Sequence, residues 1–99
     1  MMGRSATTTV LFSDIVGSTD FLSRLGERAW DDVRREHFSV LRSSLADHDG
    51  TEVKNTGDGI MASFPTASGA VECAIDIQRA FLHRNDAEPE TPVSVRIGI

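Results

Sequence analysis

A single cysteine, no apolar run of membrane-spanning length and no block of basic residues narrow the possibilities before any motif is considered. Cys73 has no second thiol in the chain, so an intramolecular disulfide is excluded. It lies among apolar residues and reads as a small core residue suited to a reducing compartment. A membrane-spanning helix needs roughly 20 consecutive apolar residues, and no stretch approaches that. The opening Met1-Met2-Gly3-Arg4-Ser5 lacks the apolar stretch of a secretory leader, so a cytoplasmic location is expected. Net charge is −5, which disfavours non-specific attraction to nucleic acid. The histidines His37, His48 and His83 show no metal-ligand spacing. His37 reads as a packed histidine on an apolar helix face. There is no internal repeat and no low-complexity tract. A chain of 99 residues allows one domain. By the usual scaling, such a domain buries somewhat over roughly 60% of its unfolded surface.

What is present is an ordered series of strand and helix signals. Thr7 to Ser13 reads as a strand, with Val10, Leu11 and Phe12 as a short buried run. Gly17-Ser18-Thr19 turns the chain, and Ser18 or Thr19 can cap the helix that follows. That helix carries Phe21, Leu22 and Leu25 and stops at Gly26. A second helix runs from about Arg28 to Asp47, with Trp30, Val33, His37, Leu41 and Leu45 on one face, and Gly50 ends it. Thr51 to Asn55 is a second strand and Ile60 to Phe64 a third. Between them, Thr56-Gly57-Asp58-Gly59 forms a hairpin turn whose two glycines can take positive φ. Pro65-Thr66 opens a third helix running to about Arg84. Its expected inner face is Ala70, Val71, Ala74, Ile75, Gln78, Phe81 and Leu82. Asn85 to Pro92 reads as a polar loop. Val93, Val95, Ile97 and Ile99 then alternate with polar residues and glycine, as a half-buried strand does.

This is the βαββαβ pattern. The expected fold is α+β, a ferredoxin-like (palm-type) antiparallel sheet of order 4-1-3-2 with the helices on one face. Strands one and three are then neighbours running opposite ways. The end of the first lies beside the start of the third, and those two places hold Asp14 and Asp58. Two adjacent carboxylates repel unless a cation joins them. Mg²⁺ or Mn²⁺ relieves that repulsion, and a two-ion site of this kind suits in-line displacement at a phosphate. The Gly17-Ser18-Thr19 turn leads into a helix N-terminus whose free N–H groups favour phosphate. Lys54 and Arg96 fall on strand positions that can face the bare side of the sheet. Taken singly, each of these residues has a plain reading as a turn former or a solvated charge. Their convergence in one topology favours a nucleoside triphosphate site.

Phe12-Ser13-Asp14-Ile15-Val16-Gly17-Ser18-Thr19 closely resembles the first-strand signature of class III nucleotidyl (adenylate/guanylate) cyclases of bacterial type. Glu52-Val53-Lys54-Asn55-Thr56-Gly57-Asp58-Gly59-Ile60-Met61-Ala62 resembles their hairpin signature, and Val95-Arg96-Ile97-Gly98-Ile99 the next strand. Compound motifs of this length are far more specific than a lone phosphate loop. The resemblance implies that Asp14 and Asp58 hold two Mg²⁺ or Mn²⁺ ions, with the backbone carbonyl of Ile15 as a further ligand. It implies that the amides of Gly17, Ser18 and Thr19 meet the β- and γ-phosphates and that Arg96 contacts the triphosphate. It places Lys54 at the base-reading position, where a lysine implies adenine. The implied activity is conversion of ATP to cyclic AMP and pyrophosphate, in a site built across a head-to-tail homodimer or with a complementary cyclase half. By the same resemblance, residues 1–99 are the N-terminal portion of one catalytic domain. The family's transition-state Asn and Arg belong to a later segment, and Ser18 stands where many members have an aromatic residue. The isolated chain is therefore expected to be inactive. Two other readings stay open: a catalytically silent nucleotide-binding or dimerisation module, and, ranked below it, a diguanylate cyclase, whose Gly-Gly-Asp/Glu-Glu-Phe turn the chain lacks.

Overall fold

Alternating burial along two strands fixes which side of the sheet is covered. In the computed structural model, which describes residues 8–99, Thr9–Ile15 forms β1 and Gly59–Phe64 forms β3. Leu11, Ser13 and Ile15 of β1 and Ile60, Ala62 and Phe64 of β3 are buried. Residues between them, such as Phe12, face the opposite side. The two strands pair antiparallel, with Leu11 opposite Ala62 and Ser13 opposite Ile60. Thr51–Asn55 forms β2 beside β3, and Val95–Gly98 forms β4 beside β1, both antiparallel. The order β2-β3-β1-β4 is the expected 4-1-3-2 read from the other edge. Thr7, where the sequence reading starts the first strand, lies outside the described residues.

Two helices cover the buried face. Ser18–Asp47 forms α1 and Ala67–Ala87 forms α2. The break expected at Gly26 is present, since its φ of 83° and ψ of 170° are not helical. Phe21 and Trp30 pack across this break with ring centres 5.9 Å apart, joining the two segments of α1. Beyond it, Val33, His37, Leu41 and Leu45 are buried on one face, as their spacing predicts. Val33, Leu41 and Leu45 meet Leu11, Ile15, Ile60 and Phe64 from the sheet in a single core.

The phase of α2 differs from the sequence reading. Its buried residues are Ala70, Cys73, Ile77 and Phe81. Val71, Ile75 and Leu82 remain 46%, 45% and 67% exposed. Both stripes are apolar, so periodicity alone could not choose between them. The choice falls to contact with α1 and the sheet. Burial pushes the Cys73 thiol up to about 11, consistent with an inert core residue.

The join between α2 and β4 also differs. The expected polar loop begins as helix, which continues to Ala87. The side chain of Asn85 then receives a hydrogen bond from the Val93 N–H at 2.9 Å and donates one to the Val93 carbonyl at 2.8 Å. Both backbone groups of Val93 are thereby satisfied by a helix side chain, and β4 starts at Val95 instead. Arg84 bonds Thr91 and Glu36, tying the same loop down.

In β2 a bulge interrupts the register. Glu52 stands opposite Ala62, yet Lys54 stands opposite Met61. Without the extra residue, Lys54 would pair with Ile60 on the helix side. Met61 alternates with the buried Ile60 and Ala62, so the bulge delivers Lys54 to the bare face. Glu52 faces the other way, where Arg42 of α1 holds it at 2.9 Å.

His37 is completely buried among aromatic rings, 5.1 Å from Phe38 and 5.7 Å from Phe81. Neither ring nitrogen has a hydrogen-bond partner. Burial pushes its pKa down to about 4, with the Asp58 carboxylate opposing that shift in part. An unfolded histidine takes up its proton near 6.5, so the unfolded chain gains protons first as pH falls. Stability should therefore be complete above pH of about 6.5 and decline toward pH 4, by up to about 3 kcal/mol from this residue. Urea unfolding at stepped pH values measures this slope. The variant His37→Leu should flatten it, and an unchanged slope in that variant would contradict the assignment.

Candidate active site

The antiparallel pairing of β1 with β3 sets Asp14 opposite Gly59, the residue after Asp58. The approach is close. A Cβ on Gly59 would lie 1.9 Å from the Ser13 carbonyl oxygen, so no side chain fits there. The sequence reading allowed positive φ at both glycines of the turn, but only Gly57 takes it, at 97°. Gly59 is needed for proximity.

Several bonds hold the turn that carries Asp58. The Gly57 N–H donates to the Asn55 side chain at 2.7 Å, and the Thr56 N–H donates to the Gly59 carbonyl at 2.9 Å. Arg34 of α1 reaches the Gly57 carbonyl at 3.5 Å. The Ile15 N–H donates to the Asp58 carbonyl at 3.1 Å, tying the turn to the end of β1. Ser18 donates its hydroxyl to the Asp58 carboxylate at 2.9 Å.

The two carboxylates meet. The Asp14 carboxyl is held above the ordinary carboxylate range, first by burial and then by the nearby Asp58 charge. Arg96 and the Ile15 N–H act in the opposite direction. Arg96 stands opposite Asp14 in the β1–β4 register, on the bare face. The structure thus brings Asp14, Asp58, Ser18 and Arg96 together. Gly17 caps α1 in the left-handed conformation, with φ of 69° and no side-chain cap. The expected cap by Ser18 or Thr19 is not made, so the N–H groups of the first turn stay open toward this end of the sheet. Lys54 is not in the cluster. It lies on the bare face two strands from β1, about 10 Å away at the usual strand spacing.

A cleft of about 270 Å³ runs between α1 and the hairpin turn, lined by Ser18, Thr19, Leu22, Trp30, Arg34 and Asp58 among others. Asn55 and Arg34 were not singled out from the sequence. The Asn-x-Gly spacing does carry the signal of an Asx turn. Arg34 has no local signal, because its contact depends on how α1 lies against the hairpin. Among the described residues, no three His, Cys, Asp or Glu side chains gather as a metal site. The donor set is two carboxylates beside backbone oxygens, which fits a hard cation such as Mg²⁺ or Mn²⁺ and not zinc.

The family described as the adenylate and guanylate cyclase catalytic domain matches residues 1–99. This chain belongs to that family. The cyclase domain is 30% identical to a protein of Rhizobium meliloti (strain 1021) over 97% of its own length and 16% of the relative's. It is 34% identical to an adenylate cyclase of Lachancea kluyveri, covering 90% of the chain and 5% of that protein. Among solved structures, a bacterial light-regulated adenylyl cyclase superposes with a TM-score of 0.84 at 24% identity, over 92% of this chain and 50% of that one. The adenylyl cyclase CyaB from P. aeruginosa gives a TM-score of 0.81 at 25% identity, over 92% and 53%. This cyclase domain therefore spans about half of these solved relatives and a small part of the curated ones. No helix among the described residues is long and apolar enough to cross a membrane.

The carboxylate contact makes a stability prediction. A carboxyl whose folded pKa is raised contributes stability only at low pH and loses it as pH rises. At neutral pH the Asp14–Asp58 repulsion opposes folding. Asp14→Asn should therefore stabilise the metal-free chain at pH 7, by about 1 kcal/mol. The same change should abolish any thermal stabilisation by added Mn²⁺. Thermal unfolding with and without Mn²⁺ measures both effects, and a destabilised metal-free variant would contradict the repulsion.

Proposed function

We propose that this chain is the metal- and phosphate-binding portion of an adenylate cyclase catalytic domain that forms cyclic AMP from ATP. The observation that carries this reading is the nearness of Asp14 and Asp58, set by the β1–β3 pairing, beside the uncapped N-terminus of α1. Asp14 and Asp58, with the Ile15 carbonyl, are the groups that would hold two Mg²⁺ or Mn²⁺ ions. Such ions, when bound, neutralise phosphate charge and lower the pKa of the attacking hydroxyl.

The residues of the chain have separate tasks. The amides of Gly17, Ser18 and Thr19 hold the β- and γ-phosphates, where free N–H groups and the helix dipole favour anions. Arg96 faces the same end of the sheet and contacts the triphosphate. The ribose 3′-oxygen forms a bond to the α-phosphorus while the bond from that phosphorus to the bridging oxygen breaks. Pyrophosphate leaves and the hydroxyl proton is released.

Lys54 reads the base. Its ammonium donates to a ring acceptor of adenine and cannot accept from the guanine amide. The separation of Lys54 from the carboxylates suits a head-to-tail dimer. When two bare faces meet about a two-fold axis, the Lys54 end of one lies over the carboxylate end of the other. The exposed Phe12 on that face supplies apolar contact for such a partner. A cytoplasmic setting supplies ATP and keeps Cys73 reduced.

The second reading is a nucleotide-binding or dimerisation module without turnover. We take residues 1–99 as the first portion of a single catalytic domain, with the transition-state groups supplied by a complementary half. Loss of one such group typically costs about 10²–10³ in rate. The purified chain alone should therefore bind Mn²⁺–ATP, measured by calorimetry, and make no cyclic AMP. Mixing it with a family domain that lacks both metal aspartates but keeps the later segment should give activity. Rapid turnover by the chain alone would sink this division of labour.

Base choice gives a separate test. In a cyclase domain that includes the later segment, Lys54→Glu should depress ATP turnover by a factor on the order of 10 to 100, from a lost and unpaired hydrogen bond. Some GTP turnover should appear. ATP turnover equal to the parent's would remove Lys54 from the site.

A further inference from the structure

Ser18 carries a hydroxyl that its helix does not use. Gly17 occupies the N-cap position of α1 in the left-handed conformation, and no side chain caps the helix. Ser18 is then the first helical residue, a position whose side chain is free to turn away from the helix end. Its hydroxyl donates to Asp58 Oδ2 at 2.9 Å, a contact between residues far apart in the chain. From the other side the Ile15 N–H holds the Asp58 carbonyl at 3.1 Å. Asp58 is therefore fixed both at its backbone and at one carboxylate oxygen. Oδ1 and the second lone pair of Oδ2 remain available.

We propose that Ser18 is a positioning residue whose side-chain hydroxyl fixes the Asp58 carboxylate for a divalent cation, leaving phosphate contact to its backbone N–H. This rests on the metal role given to Asp14 and Asp58 above. A carboxylate that already accepts a hydroxyl has less rotational freedom to lose when a cation arrives. Partners of this kind, one step removed from the metal, commonly change its affinity by about 10–100-fold. The hydroxyl also serves the metal-free site. It offers a hydrogen at a carboxylate that lies near another carboxylate, while Arg96 acts on Asp14. The backbone N–H of Ser18 points along the helix axis and is not engaged by this contact, so both tasks are compatible.

Two measurements test the assignment. Mn²⁺ alone is titrated calorimetrically into the chain, into Ser18→Ala and into Ser18→Thr, without nucleotide. Ser18→Ala should bind Mn²⁺ at least about 10-fold more weakly. Ser18→Thr, which keeps the hydroxyl, should recover most of the loss. If Ser18→Ala binds Mn²⁺ as the parent does, the positioning role is wrong. A parent that binds no Mn²⁺ removes the cation site itself, and this role with it. The second measurement is urea unfolding of the metal-free parent, Ser18→Ala, Asp58→Ala and the double variant. A hydroxyl and a carboxylate that act as a pair should give a less than additive double variant. Additive midpoints would show that the contact does not couple the two residues, and would overturn the proposal.

Discussion

The antiparallel seam between β1 and β3 is the constraint on which the rest depends. It puts two carboxylates near each other at one end of a small sheet, where like charges oppose folding. Much of the surrounding structure serves to hold that arrangement. Gly59 removes the side chain that would separate the strands. The Ile15 N–H ties the Asp58 backbone to β1, and Asn55 and Arg34 hold the turn on either side of Gly57. Strain of this kind at a site, supported from several elements at once, is what a cation-binding cluster requires of its scaffold.

A second demand is that the two faces of the sheet do different work. The helix-covered face carries the core, from Leu11 and Ile60 to Leu41 and Phe81. The bare face carries the chemistry, with Asp14 and Arg96 at one end and Lys54 two strands away. Strict alternation would have put Lys54 among core residues. The bulge at Val53 resolves this conflict by giving β2 one extra residue, which also leaves Val53 exposed. The same face exposes Phe12, so the surface that bears the cluster is also one that gains from a partner.

A different exposed surface has no such assignment. Val71, Ile75 and Leu82 of α2 line a groove with Ile97 and Ile99 beside the outer edge of β4. It exists because α2 has two apolar stripes and the core accepts only one of them. Charge is distributed differently on α1, where Arg34, Arg35 and Arg42 have carboxylate partners within 4 Å. Exposed pairs of this sort contribute little to stability each. Arg42 on Glu52 and the Arg34 hydrogen bond to the Gly57 carbonyl also link α1 to the hairpin.

The sequence by itself determined the element order, the antiparallel sheet and the meeting of Asp14 with Asp58. These follow from short-range signals: alternation in β1 and β3, glycines at the turns, and helical spacing in α1. Topology then leaves one place for the two aspartates. Only the tertiary structure decided the matters that depend on contacts between distant residues. The phase of α2 was hidden because both of its stripes are apolar. The start of β4 depended on Asn85, which satisfies Val93 from a helix that runs further than its polar end suggests. Lys54 reaches the bare face that the sequence allowed it, but by way of a bulge that leaves no mark in composition. The use of the Ser18 hydroxyl was invisible for the same reason, since a serine beside a helix start reads as a cap until Gly17 is seen to hold the N-cap position and the serine side chain to reach Asp58.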